Sequence, residues 1–118
     1  MTAFLVELTS QAVKDLKRLS RIEAEILEHL GELKENHAKG HGLAQNLQGA
    51  RSLEFNVKGS GAYRAAYVVQ EDEQKVTVFL IGTHENFYDE AGRRVKLIKS
   101  LMNKARETSR EKSRKKSK

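Results

Sequence analysis

Two apolar runs of strand length, joined by a short polar connection, constrain this chain more than any other feature. Ala65-Ala66-Tyr67-Val68-Val69 is followed by the acidic stretch from Gln70 to Lys75, and then by Val76-Thr77-Val78-Phe79-Leu80-Ile81. Short runs rich in valine, isoleucine and aromatic residues read as strands, and a brief link between two of them reads as the turn of an antiparallel hairpin. Folding the chain back on itself sets the start of the first run beside the end of the second. That pairing predicts Arg64 and His84 at one end of the sheet, a permanent guanidinium beside a group that titrates near neutrality.

The flanking residues extend the hairpin. Arg51 to Lys58 alternates, with Leu53, Phe55 and Val57 on one face and Ser52, Glu54, Asn56 and Lys58 on the other, which is the period of a half-buried strand. The glycine-rich corner Lys58-Gly59-Ser60-Gly61-Ala62 then turns it into the first apolar run, giving an antiparallel meander of three strands. Phe4 to Leu8 reads as an N-terminal strand. Thr9 or Ser10 caps a helix from about Gln11 to Leu19, on which Ala12, Val13, Leu16 and Leu19 recur at helical spacing. Ser20-Arg21-Ile22-Glu23 has the form of a capping box and opens a second helix. Its stripe is Ile22, Ile26, Leu27, Leu30 and Leu33, and Glu23, Glu25, Glu28, Glu32 and Glu35 form a solvated face.

Asn36 to Gly49 has the composition of a loop, pegged to the core by Leu43 and Leu47. His37 and His41 stand four apart in it, but glycines break any helix there and no third ligand is near, so they read as loop residues and no metal or cofactor is implied. Ala91, Val95, Ile98 and Met102 recur at helical intervals after Tyr88, predicting a C-terminal helix from about Asp89 to Asn103. Residues on the apolar phases, Leu5, Leu16, Ile26, Leu30, Phe55, Tyr67, Val78 and Leu80, are expected in the core.

Composition bounds the setting. At 118 residues the chain fits one domain, and with no cysteine a reducing cytoplasm is the simplest compartment. The N-terminus lacks a basic region followed by a long apolar run, and no apolar segment approaches membrane-spanning length, so a soluble protein is expected. Of the 22 basic and 16 acidic residues, eight and two lie from Lys104 onward, leaving 14 of each in residues 1–103. The net charge of +6 therefore belongs to the tail, residues 104–118, which reads either as a polyanion-binding arm or as a solvated, disordered end.

The order strand, helix, helix, strand, strand, strand, helix meets particular residues. Phe4-Leu5-Val6 with Ala12, Leu16 and Leu19, the Leu47-x-Gly49 step, the corner Gly61-Ala62-Tyr63-Arg64-x-x-Tyr67 and the ending Gly82-x-His84-x-x-x-Tyr88 together resemble the RelE/ParE superfamily of toxin-antitoxin toxins. The resemblance covers residues 3 to about 100. It implies an α+β domain over residues 1–103, with an N-terminal strand, a two-helix hairpin, the three-stranded meander and a C-terminal helix. It also implies a cognate antitoxin as partner.

Function then divides. RelE-like members cut messenger RNA at the ribosome without metal, by attack of a ribose 2′-hydroxyl on the adjacent phosphate; ParE-like members poison DNA gyrase; a third possibility is a toxin-like domain that only binds. The first branch, favoured by His84 with Tyr88, implies Arg64 on the scissile phosphate, His84 as general acid and Tyr88 orienting the nucleotide; the chemistry of a carboxylate, not the family pattern, offers Glu54 as base where the sheet brings it within hydrogen-bond reach. Arg51, Lys58, Arg93 and Arg94 would contact RNA. The strand Leu53–Val57 departs from the family pattern, carrying Glu54 and Asn56 where RelE-like enzymes often have two lysines.

Overall fold

The computed structural model describes residues 4–43, 49–83, 85, 87–94 and 96–101. Strand β1 (Leu5–Leu8) leads into helix α1 (Ser10–Arg18), a 3-10 turn (Ser20–Ile22), helix α2 (Glu23–Gly31) and a second 3-10 turn (Glu32–Lys34). The chain continues through β2 (His41–Gly42), β3 (Arg51–Val57), β4 (Gly61–Gln70), a 3-10 turn (Glu71–Glu73), β5 (Lys75–Thr83) and α3 (Phe87–Arg93). Helical backbone resumes over 96–101.

The predicted meander forms as β3-β4-β5, antiparallel throughout, within a five-stranded sheet of order β1-β5-β4-β3-β2. The N-terminal strand closes it by pairing parallel with β5, Leu5 opposite Lys75 and Leu8 opposite Val78. Gly59 and Gly61, both at the positive φ that suits glycine, turn β3 into β4, while Gln74 takes φ 53° before β5, a backbone region that residues with a Cβ uncommonly adopt. A register shift between Ala66 and Tyr67 marks a bulge against β5.

Each face of the sheet carries a core, though neither is covered over its whole extent. One core joins Ala12, Leu16, Ile26, Leu30 and Leu33 of the helical hairpin to Leu53, Phe55, Val57, Tyr63, Tyr67 and Val78. The other lies beneath α3 and joins Ala66, Val68, Phe79 and Leu80 to Phe87, Ala91 and Ile98. Tyr67 is fully buried, and its hydroxyl accepts from Gly40 N–H at 3.0 Å and donates to the His37 carbonyl at 2.9 Å, stitching the loop after α2 to the sheet. Only glycine fits at position 40, since a Cβ there would lie 2.5 Å from the Ser52 carbonyl oxygen.

Several expectations change. Leu5 is 57% exposed, because β1 is an edge strand whose Val6 and Leu8 pack against the core under the helical hairpin while Leu5 alternates to the other side. Leu27 is also exposed, leaving Ile26, Leu30 and Leu33 to bury the second helix. The capping box does not form: residues 20–22 make a 3-10 turn, and α2 begins without a side-chain cap. Thr9 does cap α1, its Oγ1 accepting from Ala12 N–H at 3.2 Å. The C-terminal helix starts earlier than expected, at Phe87, and is interrupted by a turn at Arg94; its predicted end at Met102 and Asn103 lies outside the described residues, as do Leu47 and Val95.

Candidate functional site

The uncovered part of the α3-side sheet face is built by register. β3 and β4 pair with Glu54 directly opposite Arg64, and β4 and β5 pair with Arg64 opposite Gly82. Directly opposed residues project to the same face, so the Glu54 carboxylate meets the Arg64 guanidinium, Oε1 to Nη2, at 2.5 Å. The side chain of Arg64 is only 13% exposed and that of Glu54 is 51% exposed, so the arginine is walled in while the carboxylate looks outward.

Helix α3 supplies the third side. Arg64 Nη1 donates to the Tyr88 hydroxyl at 3.2 Å, and its Cζ lies 5.6 Å from the ring centroids of both Phe87 and Tyr88. These rings meet edge to face, 89° apart with centroids at 5.2 Å. Phe87 is buried beneath the guanidinium, whereas Tyr88 is 58% exposed. An anion arriving at Arg64 would therefore find a guanidinium held between two rings and a carboxylate, with an exposed aromatic face beside it. Glu54 and Asn56 continue outward into a hollow lined also by Phe55, Ala62 and Tyr63, and the Tyr63 hydroxyl is fixed by the Ser60 hydroxyl at 2.6 Å.

The site residues expected from the sequence divide three ways. Arg64, Glu54 and Tyr88 come together. His84 lies outside the described residues; Thr83, just before it, ends β5 opposite Tyr63. The cations scatter. Lys58 is exposed in the β3–β4 turn, and Arg93 is exposed on α3 with Glu90 2.5 Å away. Arg51 lies on the opposite face, because it shares the phase of Leu53 and Phe55, and its guanidinium donates to the carbonyls of Ala38 (2.9 Å) and Gly40. In this structure it clamps the loop after α2.

Arg94 also turns inward, away from the expected RNA face. It is 9% exposed and forms a bidentate ion pair with buried Asp15, Nη1 to Oδ2 at 2.7 Å and Nη2 to Oδ1 at 2.9 Å. Hydrogen bonding to Asp15 raises its pKa above the ordinary arginine value, against the opposing effect of burial. Asp15 was missed in the sequence, although a signal was there: it is a lone carboxylate three residues after Ala12, on the apolar stripe of α1.

The family model of the ParE-like toxin of type II bacterial toxin-antitoxin systems matches residues 6–92. Among solved structures, the chain is similar to the RelBE2 toxin-antitoxin complex of Mycobacterium tuberculosis, at 25% identity and TM-score 0.61 over 71% of this chain and 94% of that one. It shares the fold of a doubly substituted E. coli RelE toxin in the free state, at 23% identity and TM-score 0.60 over 78% and 97% of the two chains. The isolated E. coli RelE toxin gives 21% identity and TM-score 0.55 over 79% and 99%. No curated protein matches the chain. Among the described residues no helix is long and apolar enough to cross a membrane.

Proposed function

Because the chain belongs to the RelE/ParE superfamily of toxins from type II toxin-antitoxin systems, we propose that it acts as a metal-independent endoribonuclease on messenger RNA at the ribosome. The observation that carries this reading is the meeting of Arg64, Glu54 and Tyr88 on one uncovered face. Arg64 holds the scissile phosphate, since a planar guanidinium offers paired donors to two phosphate oxygens and stays charged. Glu54, already in contact with that guanidinium, takes the proton of the 2′-hydroxyl. The freed oxygen attacks phosphorus to form a 2′,3′-cyclic phosphate as the bond to the 5′-oxygen breaks. His84 donates a proton to that leaving oxygen, since imidazole is the side-chain class suited to proton exchange near neutrality. Tyr88 stacks on the nucleotide.

Lys58 and Arg93 steer the backbone, and the tail, residues 104–118, adds affinity without sequence preference. The partner is a cognate antitoxin, as the RelBE2 complex and the E. coli RelBE complex contain for their own toxins. A second reading, inhibition of DNA gyrase, is favoured by the ParE-like family model. The deciding experiment expresses the toxin without antitoxin and asks whether arrested cells hold cut messenger RNA, gyrase cleavage products or neither. Cut RNA that persists in EDTA and falls roughly a hundredfold in rate with Arg64→Ala or His84→Ala supports the ribonuclease. Gyrase cleavage products with intact RNA overturn it.

A further inference from the structure

Strand β1 stops at Leu8, opposite Val78, while β5 runs on to Thr83. Past that point, among the described residues, β5 has no neighbouring strand on the β1 side, and bare backbone groups inside a fold must find other partners. Two side chains supply them. Asp15 Oδ2 accepts from Ile81 N–H at 3.0 Å, and Arg94 Nη1 donates to the Phe79 carbonyl at 2.8 Å. The same two side chains are bidentate to each other, and Arg94 Nη2 also reaches Glu90 Oε2 at 3.4 Å. Four directional bonds thus join α1, the bare edge of β5 and the residue that follows α3. Asp15 and Ile81 also line a cleft whose α3 side is formed by Phe87, Asp89, Glu90 and Arg93.

Helix α3 has seven residues, fewer than two full turns, and cannot hold its own orientation. Phe87 and Ala91 seat it on the sheet, but apolar contacts fix distance better than rotation. A bidentate ion pair fixes both. A buried pair also gives little net stability over an apolar substitute, so its distinctive contribution is geometric.

We propose that the Asp15–Arg94 pair is a positioning device for the candidate site: by locking the C-terminal end of α3 to α1 and to the edge of β5, it sets Tyr88 against Arg64. Its consequence for turnover rests on the ribonuclease reading; its consequence for the placement of Tyr88 does not.

The test uses Asp15→Asn and Arg94→Lys in the full chain, with tyrosine rings labelled for NMR. The chain has three tyrosines, and Tyr63 and Tyr67 in the sheet serve as internal references. Both variants should shift the Tyr88 signal and leave the other two in place, and kcat for RNA should fall on the order of a hundredfold, as expected for small displacements of a reacting group. Ile26→Ala, in the opposite core, should lower the melting temperature at least as much without moving Tyr88 or kcat. The proposal is overturned if Tyr88 stays put in the folded variants, or if it moves equally in Ile26→Ala. If Tyr88 moves but the wild type cuts no RNA, positioning stands and the ribonuclease reading falls. Should neither variant fold, wild-type protein in mild urea decides: exchange of the Ile81 amide and the Tyr88 shift must change together, and a Tyr88 signal that moves while Ile81 stays protected refutes the link.

Discussion

Replacing Glu54 with glutamine separates what the Glu54–Arg64 pair does for the fold from what it does for chemistry. The carboxylate is half exposed, and exposed ion pairs contribute about 0–1 kcal/mol. Glutamine keeps the shape and an acceptor oxygen for Arg64. For a domain of this size, about 1 kcal/mol corresponds to a melting shift of only a few degrees. The kinetic effect should be far larger and should carry a particular signature. A carboxylate beside the phosphate-holding guanidinium both competes for it and repels the incoming backbone, so its loss should tighten binding and lower KM. Loss of the general base should lower kcat by roughly a hundredfold to ten-thousandfold. Stopped-flow cleavage on programmed ribosomes, alongside thermal melting monitored by circular dichroism, measures both. Wild-type kcat in Glu54→Gln would refute its role as base, and a melting point lowered by about ten degrees or more would show that the pair is chiefly structural.

The core makes a sharper contrast than composition allows. Leu30→Ala should cost about 2–5 kcal/mol by leaving a cavity, whereas Leu5→Ala, at an exposed edge position, should cost within about 0.5 kcal/mol; equal losses in urea titration would contradict the two-sided packing. Removing residues 104–118, with eight cations against two carboxylates, should flatten the dependence of ribosome binding on salt while leaving any sequence preference intact. An unchanged slope would reduce the tail to a solubility device.

Legibility followed the range of the interactions. The hairpin, its partner strand and both N-terminal helices were readable because each declares itself by a local period: alternation over Arg51–Val57, apolar runs in β4 and β5, and the recurrence of Ala12, Leu16, Ile26 and Leu30. A cap at Thr9 or Ser10 was readable for the same reason, and the structure chooses Thr9. The Ser20–Glu23 capping box failed although its pattern is local, since the backbone there takes a 3-10 turn instead. In the candidate site, the cross-strand meeting of Glu54 and Arg64 followed once strand register was fixed, and register follows from the alternating pattern and the glycine turn.

By itself the sequence determined the element types, the antiparallel meander, the glycine-dependent corner and the confinement of net charge to the tail, all properties of residues close along the chain. The tertiary structure decided which chemically similar side chains stand where. Arg51 and Arg64 are both strand arginines, yet opposite phases send one to backbone carbonyls behind the sheet and the other to the open face. Arg93 and Arg94 are adjacent on one turn, yet one is solvated and the other buried against Asp15, 79 residues away. The physical reason is that burial of a charge depends on a partner arriving from elsewhere in the fold, and here that partner follows from where β1 ends against β5, which no local pattern in the chain records.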